Sequence, residues 1–163
     1  MEYTIRKALP EDLPKLEEIY GGARRFMAEN GNPIQWGTVH PPRQLLVEDI
    51  GRGVLYAVTS EDGIHGVFYF DLGEDPTYRE IVQGCWSCDA PYGTIHRIAG
   101  DGSGGILKAA VEFAKTKTDY IRIDTHEDNA VMQKALGKLG FSRCGIIFIE
   151  NGDERIAFDL MVK

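Results

Sequence analysis

The sequence has no long apolar segment and few cysteines. No apolar run in the 163 residues approaches the roughly 20 residues that cross a bilayer. The opening stretch, MEYTIRKALPEDL, has no apolar core of the kind found in signal peptides. The three cysteines, Cys85, Cys88 and Cys144, are an odd number and too few for a disulfide framework, which fits a reducing compartment. We therefore predict a cytoplasmic protein.

The chain also lacks an excess of positive charge. It has 18 lysines and arginines and 25 acidic residues, so the formal net charge is −7. This argues against a nucleic-acid partner and against binding to anionic membranes, because both need a basic surface. A hydrophobic content of 43% and a charged content of 26% are ordinary for a soluble globular protein. The length fits a single domain over residues 1–163.

Hydrophobic periodicity predicts strands and helices in an irregular alternation. The patterns predict strands at 3–8, 54–59, 64–71, 92–99, 120–124, 141–149 and 155–162, and helices at 12–29, 43–50, 106–116 and 129–139. Residues 72–91 are predicted to be irregular, with a short helix around 77–82. The unit 92–124 has so short a connection that its two strands should be parallel, whereas the other neighbouring strands form hairpins. The predicted fold class is α/β, with a mixed, mostly antiparallel sheet and flanking helices.

A glycine-rich turn, GDGSGG at 100–105, stands between a predicted strand and a predicted helix. Free N–H groups at a helix start, together with the helix dipole, favour an anion, and glycines let the backbone approach a phosphate closely. The glycines match the spacing of a dinucleotide-binding turn, but no repeated strand–helix–strand order surrounds them. No Gly-Lys-Ser/Thr follows, which excludes a P-loop. A tight connection without any ligand is the alternative.

The order of elements resembles the GCN5-related N-acetyltransferase family. The resemblance is carried by IHRIAGDGSGGILKAAVEFA (95–114) and IRIDTHEDNAVMQKALGKLGF (121–141), with YTIRKALPEDLPKLEEI matching the first strand and helix. It implies the acyl-CoA N-acyltransferase fold, in which the two central parallel strands splay apart. It also implies acetyl-coenzyme A as the donor of an acetyl group to an amine.

The resemblance implies a set of cofactor-binding residues. The glycine turn and the start of its helix would hold the pyrophosphate, the end of the first splayed strand would bind the pantetheine arm, and an asparagine would lie near the thioester. These positions are Gly102, Ser103, Gly104, Gly105, Ile106 and Leu107, then Arg97, Ile98 and Ala99, and finally Asn129. Two departures stand out. Only Gly105 matches the family's turn pattern, and Leu136 occupies the position of the tyrosine that often protonates the leaving thiolate.

Residues on and near the two splayed strands are candidates for a general base and for an acceptor pocket. His96, on the strand before the glycine turn, is a candidate general base, because imidazole can take a proton from an ammonium nucleophile; a structural hydrogen bond in the sheet is the alternative. Trp36 and Trp86 lie in irregular segments that could wall an acceptor pocket, and core packing is their alternative.

Two other motifs are weaker. His126 lies among acidic residues, but no second cluster of donors matches it, so no metal is predicted. A capping box formed by Thr125 and Asp128 explains this polar stretch more simply. The spacing of Cys85 and Cys88 fits a redox pair, yet no helix follows them, which favours ordinary thiols.

These observations predict an acetyl-CoA-dependent N-acetyltransferase that acts on an amine of a small molecule or peptide by direct attack in a ternary complex. A non-catalytic acyl-CoA-binding module on the same fold is the main alternative, and a thiol redox protein is a third. The sequence leaves the acceptor and the oligomeric state open, with a homodimer as one option.

Overall fold

A computed structural model describes residues 2–162. In these residues seven strands form one sheet: β1 (Thr4–Lys7), β2 (Leu55–Ser60), β3 (Gly63–Leu72), β4 (Gly93–Gly100), β5 (Tyr120–Thr125), β6 (Ser142–Phe148) and β7 (Glu154–Met161). The helices are α1 (Leu13–Glu29), α2 (Arg43–Arg52), α3 (Ile106–Lys115) and α4 (Ala130–Lys138). None of the helices between residues 2 and 162 is long and apolar enough to pass through a bilayer.

The sheet has the order β1-β2-β3-β4-β5-β7-β6. Strands β4 and β5 run parallel, and the other neighbouring pairs run antiparallel. The short α3 connection between β4 and β5 forms the parallel crossover that the sequence predicts. The predicted fold class is confirmed.

Each face of the sheet buries a different set of side chains, because side chains alternate along a strand. On one face, α3 and α4 pack on apolar residues such as Phe68, Ile95, Ile121 and Phe158. α3 presents its apolar stripe here, led by Ile106, Ala110, Val111 and Ala114. This face forms the largest part of the core.

The opposite face is covered by two separate apolar clusters. α1 and α2 cover β2, β3 and the end of β4, through Leu16, Tyr20 and Leu46. The segment between β3 and β4 covers β5, β6 and β7, through Tyr78 and Tyr92. His96 projects from β4 toward this face, on the side opposite to its neighbour Ile95. A polar group of side chains therefore occupies the space between the two clusters.

The helix predicted at 77–82 is wrong. The chain makes a single 3-10 turn at Pro76–Tyr78, with the side chain of Asp75 accepting a hydrogen bond from Thr77 N. Beyond it, Val82 pairs with Ile146 of β6 in an antiparallel bridge. A helix so short has little stability of its own, so burial of Tyr78 and pairing with β6 determine the path of this segment.

Candidate active site

Strands β4 and β5 separate soon after they begin to pair. Their parallel register contains Gly93 opposite Ile121 and Thr94 opposite Arg122, and it stops there. Strand β4 continues to Gly100 and β5 to Thr125. Their C-terminal ends therefore diverge into a wedge, with the backbone of 97–99 along one side. In α/β sheets, ligands bind beyond the carboxyl ends of the strands.

A backbone kink at Arg97 accompanies this divergence. Arg97 has φ of 49°, a left-handed conformation that is uncommon for residues other than glycine. The hydroxyl of Tyr20 donates a 2.6 Å hydrogen bond to the Arg97 carbonyl. The guanidinium contacts the Asp49 carboxylate at 2.8 Å. Such strain, worth roughly 1–3 kcal/mol, persists only where surrounding contacts hold it, and it concentrates at functional sites.

The ion pair between Arg97 and Asp49 is largely buried. The Asp49 side chain is 1% exposed and that of Arg97 17% exposed, and the guanidinium also lies 4.5 Å from the centre of the Tyr69 ring. Burial raises the pKa of Asp49, and the neighbouring guanidinium opposes that rise. This pair ties β4 to α2 at the point where β4 leaves β5.

The glycine turn gives α3 an open N-terminus. Gly102, Gly104 and Gly105 have φ of 94°, 87° and 77°, values that a side chain would make costly. Gly105 is the N-cap and supplies no capping side chain. The first N–H groups of the helix therefore have no intrahelical acceptor. Ile106 and Leu107 pack their side chains against the core, so a ligand could reach only their backbone.

His96 lies between two carboxylates. Its Nε2 is 2.7 Å from Oδ2 of Asp75 and its Nδ1 is 3.7 Å from Oδ2 of Asp124. Because a carboxylate can only accept, Asp75 places the proton of the neutral ring on Nε2 and leaves the Nδ1 lone pair free. The His96 side chain is 23% exposed. The arrangement can orient an imidazole as a proton acceptor.

A buried tyrosine completes this group. The hydroxyl of Tyr78 donates to Oδ2 of Asp124 at 2.6 Å, and its ring centre lies 5.8 Å from that of His96. Burial and the adjacent Asp124 raise the pKa of Tyr78 well above its ordinary value. Sequence reasoning named neither Asp75 nor Asp124 for this role. No local signal marks them, because they are 21 and 28 residues from His96.

Asn129 is the N-cap of α4. Its Oδ1 accepts a hydrogen bond from Met132 N at 3.0 Å, and its Nδ2 donates to Oε1 of Gln35 at 3.0 Å. The capping box predicted for Thr125 and Asp128 is wrong. Thr125 ends β5 and its buried hydroxyl has no partner within the described residues. The helix begins later, after a turn in which Asp128 N donates to Nδ1 of His126.

The two tryptophans lie in different clusters. Trp36 packs edge-on against Tyr20, with ring centres 5.6 Å apart. Trp86 donates from Nε1 to the Tyr78 carbonyl at 2.9 Å and lies 4.2 Å from the guanidinium of Arg122. A cleft of about 460 Å³, which Trp86, Tyr78 and Arg122 help to line, opens beside it. Their role in holding an acceptor stays a prediction.

Leu136 and the three cysteines were the other positions that the sequence singled out. Leu136, at the position where the family that the sequence resembles often has a tyrosine, is completely buried in the core, so α4 presents no hydroxyl there. Cys85, Cys88 and Cys144 are free thiols. Burial and then the Asp159 carboxylate raise the pKa of Cys144 to about 12, which suppresses its reactivity. Between residues 2 and 162, no three His, Cys, Asp or Glu side chains are grouped to hold a metal ion.

The known proteins most informative for this chain are solved structures. No protein-family model and no curated protein matches the chain. A GNAT-family acetyltransferase from Streptococcus agalactiae is 27% identical, with 99% of this chain and 96% of that chain covered and a TM-score of 0.88. A GNAT-family acetyltransferase from Listeria monocytogenes is 19% identical over 99% of this chain and 95% of that one, with a TM-score of 0.71. A Salmonella typhimurium protein solved with acetyl-CoA is 14% identical, with 99% of this chain and 94% of that chain covered and a TM-score of 0.61.

Proposed function

We propose that the chain, whose fold matches a GNAT-family acetyltransferase at 27% identity and a TM-score of 0.88, transfers an acetyl group from acetyl-CoA to a primary amine of a small molecule or peptide. The observation that carries the proposal is the wedge between β4 and β5, with the His96–Asp75 pair facing it. The wedge offers a pantetheine arm a backbone edge of β4 that does not pair with β5, and the histidine offers a base for the amine.

The donor would lie along β4 and the glycine turn. The turn's open N–H groups at the start of α3 suit the diphosphate. The 97–99 backbone suits the amides of the pantetheine arm, and its N–H groups could polarise the thioester carbonyl. Asn129 already caps α4 and contacts Gln35, so a role near the thioester would use the same side chain that fixes the helix start.

His96 would act on the acceptor amine. With Asp75 holding Nε2–H, Nδ1 takes a proton from the ammonium, directly or through one water. The neutral amine then forms a bond to the thioester carbon as the carbon–sulfur bond breaks and the thiolate of coenzyme A leaves. The attacking nitrogen releases its second proton to water as the amide forms. A proton returns to that sulfur from the imidazolium or from water, since Leu136 cannot supply one. No covalent bond to the protein is required.

The test combines donor binding with turnover. Calorimetry should give a micromolar-class dissociation constant for acetyl-CoA or coenzyme A, and thiol release should exceed background with at least one amine from a library. His96→Gln should then lower kcat by roughly 10²–10⁴-fold, the usual contribution of a general base, with KM for acetyl-CoA unchanged. His126→Asn, which keeps an acceptor for Asp128 N–H, is the matched control and should keep parental kcat.

The outcomes separate the parts of this proposal. Absence of binding heat with both forms of the cofactor would exclude acetyl-CoA chemistry. Turnover that survives in His96→Gln would remove His96 as the base while leaving acetyl transfer in place.

A second candidate function is a non-catalytic acyl-CoA-binding module. It is favoured by Leu136, which is buried where related enzymes often carry a tyrosine, and by a glycine turn that matches the family pattern only at Gly105. Tight binding of acetyl-CoA without turnover on any amine would support this module over the enzyme.

A further inference from the structure

A single buried histidine connects the glycine turn to the rest of the sheet. His65 lies on β3 and is 9% exposed. Its Nδ1 is 2.9 Å from Oδ2 of Asp101 and 3.2 Å from Oγ of Ser103. Its backbone carbonyl accepts a 2.9 Å hydrogen bond from Asp101 N. Two residues of the turn are thus held by one residue of a neighbouring strand.

The proton positions in this network follow from its chemistry. The Asp101 carboxylate can only accept, so Nδ1 of His65 carries the proton. Nε2 then accepts from the hydroxyl of Ser60, 2.7 Å away, and Ser60 Oγ accepts from Asp62 N at 3.1 Å. Hydrogen bonds thus run without a break from Asp62 N through Ser60 Oγ and the His65 ring to Oδ2 of Asp101. The network is complete with a neutral imidazole.

Asp101 also organises the turn from within. Its Oδ1 accepts from Ser103 N at 3.0 Å, which closes a side-chain turn around Gly102. Burial alone would raise the pKa of Asp101, but hydrogen bonds from Ser103 and His65 outweigh it and lower that pKa. The carboxylate is therefore ionised and turned toward His65 and Ser103.

The turn needs hydrogen bonds from outside it to stay ordered, because four of its six residues, Gly100, Gly102, Gly104 and Gly105, are glycines. Glycine loses more backbone freedom on ordering than any other residue, so a turn of this composition is expensive to hold in one conformation. A second side chain outside the turn that hydrogen-bonds to it is Tyr3, whose hydroxyl donates to the Gly104 carbonyl at 2.7 Å. His65 is the more buried of the two anchors.

We propose that His65 is the positioning residue of the diphosphate-binding turn: by holding Asp101 and Ser103, it keeps the N–H groups at the start of α3 arranged for the diphosphate of acetyl-CoA. This inference rests on the proposed function and adds a residue outside the turn to it. The proposed role requires no contact between His65 and the cofactor, because the effect of His65 passes through Asp101 and Ser103.

The test compares donors with and without the diphosphate. His65→Leu removes the donor to Asp101, whereas His65→Asn places an amide N–H near the position of Nδ1 and should restore the tie. For acetyl-CoA we expect His65→Leu to raise KM, and the Kd of coenzyme A, about tenfold or more with kcat unchanged. With S-acetylpantetheine, which has no diphosphate, kcat/KM should change less than twofold. Ser60→Ala, which leaves the contact with Asp101 intact, should affect acetyl-CoA far less than His65→Leu.

Hydrogen exchange in the free protein supplies a readout independent of the cofactor. Amides 101–105 should exchange faster in His65→Leu and at the parental rate in His65→Asn. Equal losses with both donors, or an unchanged KM in a folded His65→Leu, would overturn the inference while leaving acetyl transfer intact. If the parent does not bind coenzyme A at all, the proposed function itself fails and the positioning role fails with it.

Discussion

Asp75 keeps its negative charge far into the acid range. Its Oδ2 lies 2.7 Å from Nε2 of His96, and its Oδ1 accepts from the N–H of Thr77 at 2.9 Å and from its hydroxyl at 2.7 Å. Burial alone would raise the pKa of Asp75, but the His96 and Thr77 hydrogen bonds outweigh it and lower the pKa to about 2. The carboxylate that orients His96 is thus ionised at neutral pH.

This lowered pKa predicts how stability changes with pH. The folded pKa of Asp75 lies below its ordinary value of 3.8, so its contribution is fully present above about pH 4 and is lost as pH falls toward 2. The shift corresponds to about 2 kcal/mol of unfolding free energy. Asp75→Asn should therefore be less stable than the parent at pH 6, and urea unfolding should show the difference narrowing between pH 4 and pH 2. A difference that stays constant over this range would contradict the prediction.

At the scale of elements, the first residue of α3 packs against two glycines of the sheet, Gly66 of β3 and Gly100 of β4. Ile106, its first residue, is 7% exposed. A Cβ added to Gly66 of β3 would lie 2.6 Å from Cγ2 of Ile106 and 3.1 Å from the Ala99 carbonyl oxygen, and one added to Gly100 would lie 2.8 Å from Cγ1 of Ile106. These glycines let the helix start approach the sheet, which places its N-terminus beside the wedge.

Gly66→Ala tests this close approach. Because Cγ2 of Ile106 is near its own backbone and cannot swing away, the helix must shift. We expect a loss of about 1–3 kcal/mol in unfolding free energy, typical of overpacking, together with weaker binding of coenzyme A.

Gly51→Ala is the matched control for Gly66→Ala. Gly51 lies in α2, where an added Cβ meets nothing within 4 Å, and alanine should stabilise that helix by about 0.5–1 kcal/mol. Denaturant unfolding and calorimetry measure both effects. A Gly66→Ala protein with parental stability and affinity would show that α3 can move freely.

At the scale of the whole molecule, the proposed donor site joins elements that are far apart in sequence. The wedge and the glycine turn involve β3, β4, α3 and β5, and Asn129 links α4 to Gln35 between α1 and α2. A ligand that bridges these elements binds the folded chain and not the unfolded one. Its binding free energy therefore adds to the stability of the fold.

Coenzyme A should accordingly raise the thermal midpoint. At a concentration 100 times its dissociation constant, the stabilisation is about 2.7 kcal/mol, which for a chain of this size corresponds to a shift of roughly 5–11 °C. Pantetheine, at the same concentration, should raise the midpoint much less because it makes no contact with the turn. An equal rise of the thermal midpoint with coenzyme A and with pantetheine would mean that the diphosphate contributes nothing to binding. That result would contradict a diphosphate site at α3.

The sequence by itself determined the order of strands and helices, because the apolar spacing that defines each element is local. It also determined the parallel pairing of β4 and β5, since the connection through α3 is short, and it located the glycine turn. The family resemblance and the fold class, both confirmed, rest on these local patterns. The wrongly assigned capping box at Thr125 and Asp128 and the wrongly predicted helix at 77–82 lie where a few polar residues permit several turns.

The tertiary structure alone decided which side chains meet. Asp75 reaches His96 across 21 residues, Tyr78 reaches Asp124 across 46, and Asp101 reaches His65 across 36. No periodicity encodes such contacts, because each depends on how a loop or a strand packs against the finished sheet. Tyr78, in the segment before β4, is buried and donates a hydrogen bond to Asp124 of β5. This packing places Asp75 next to His96, the histidine that the sequence had already identified as a candidate base.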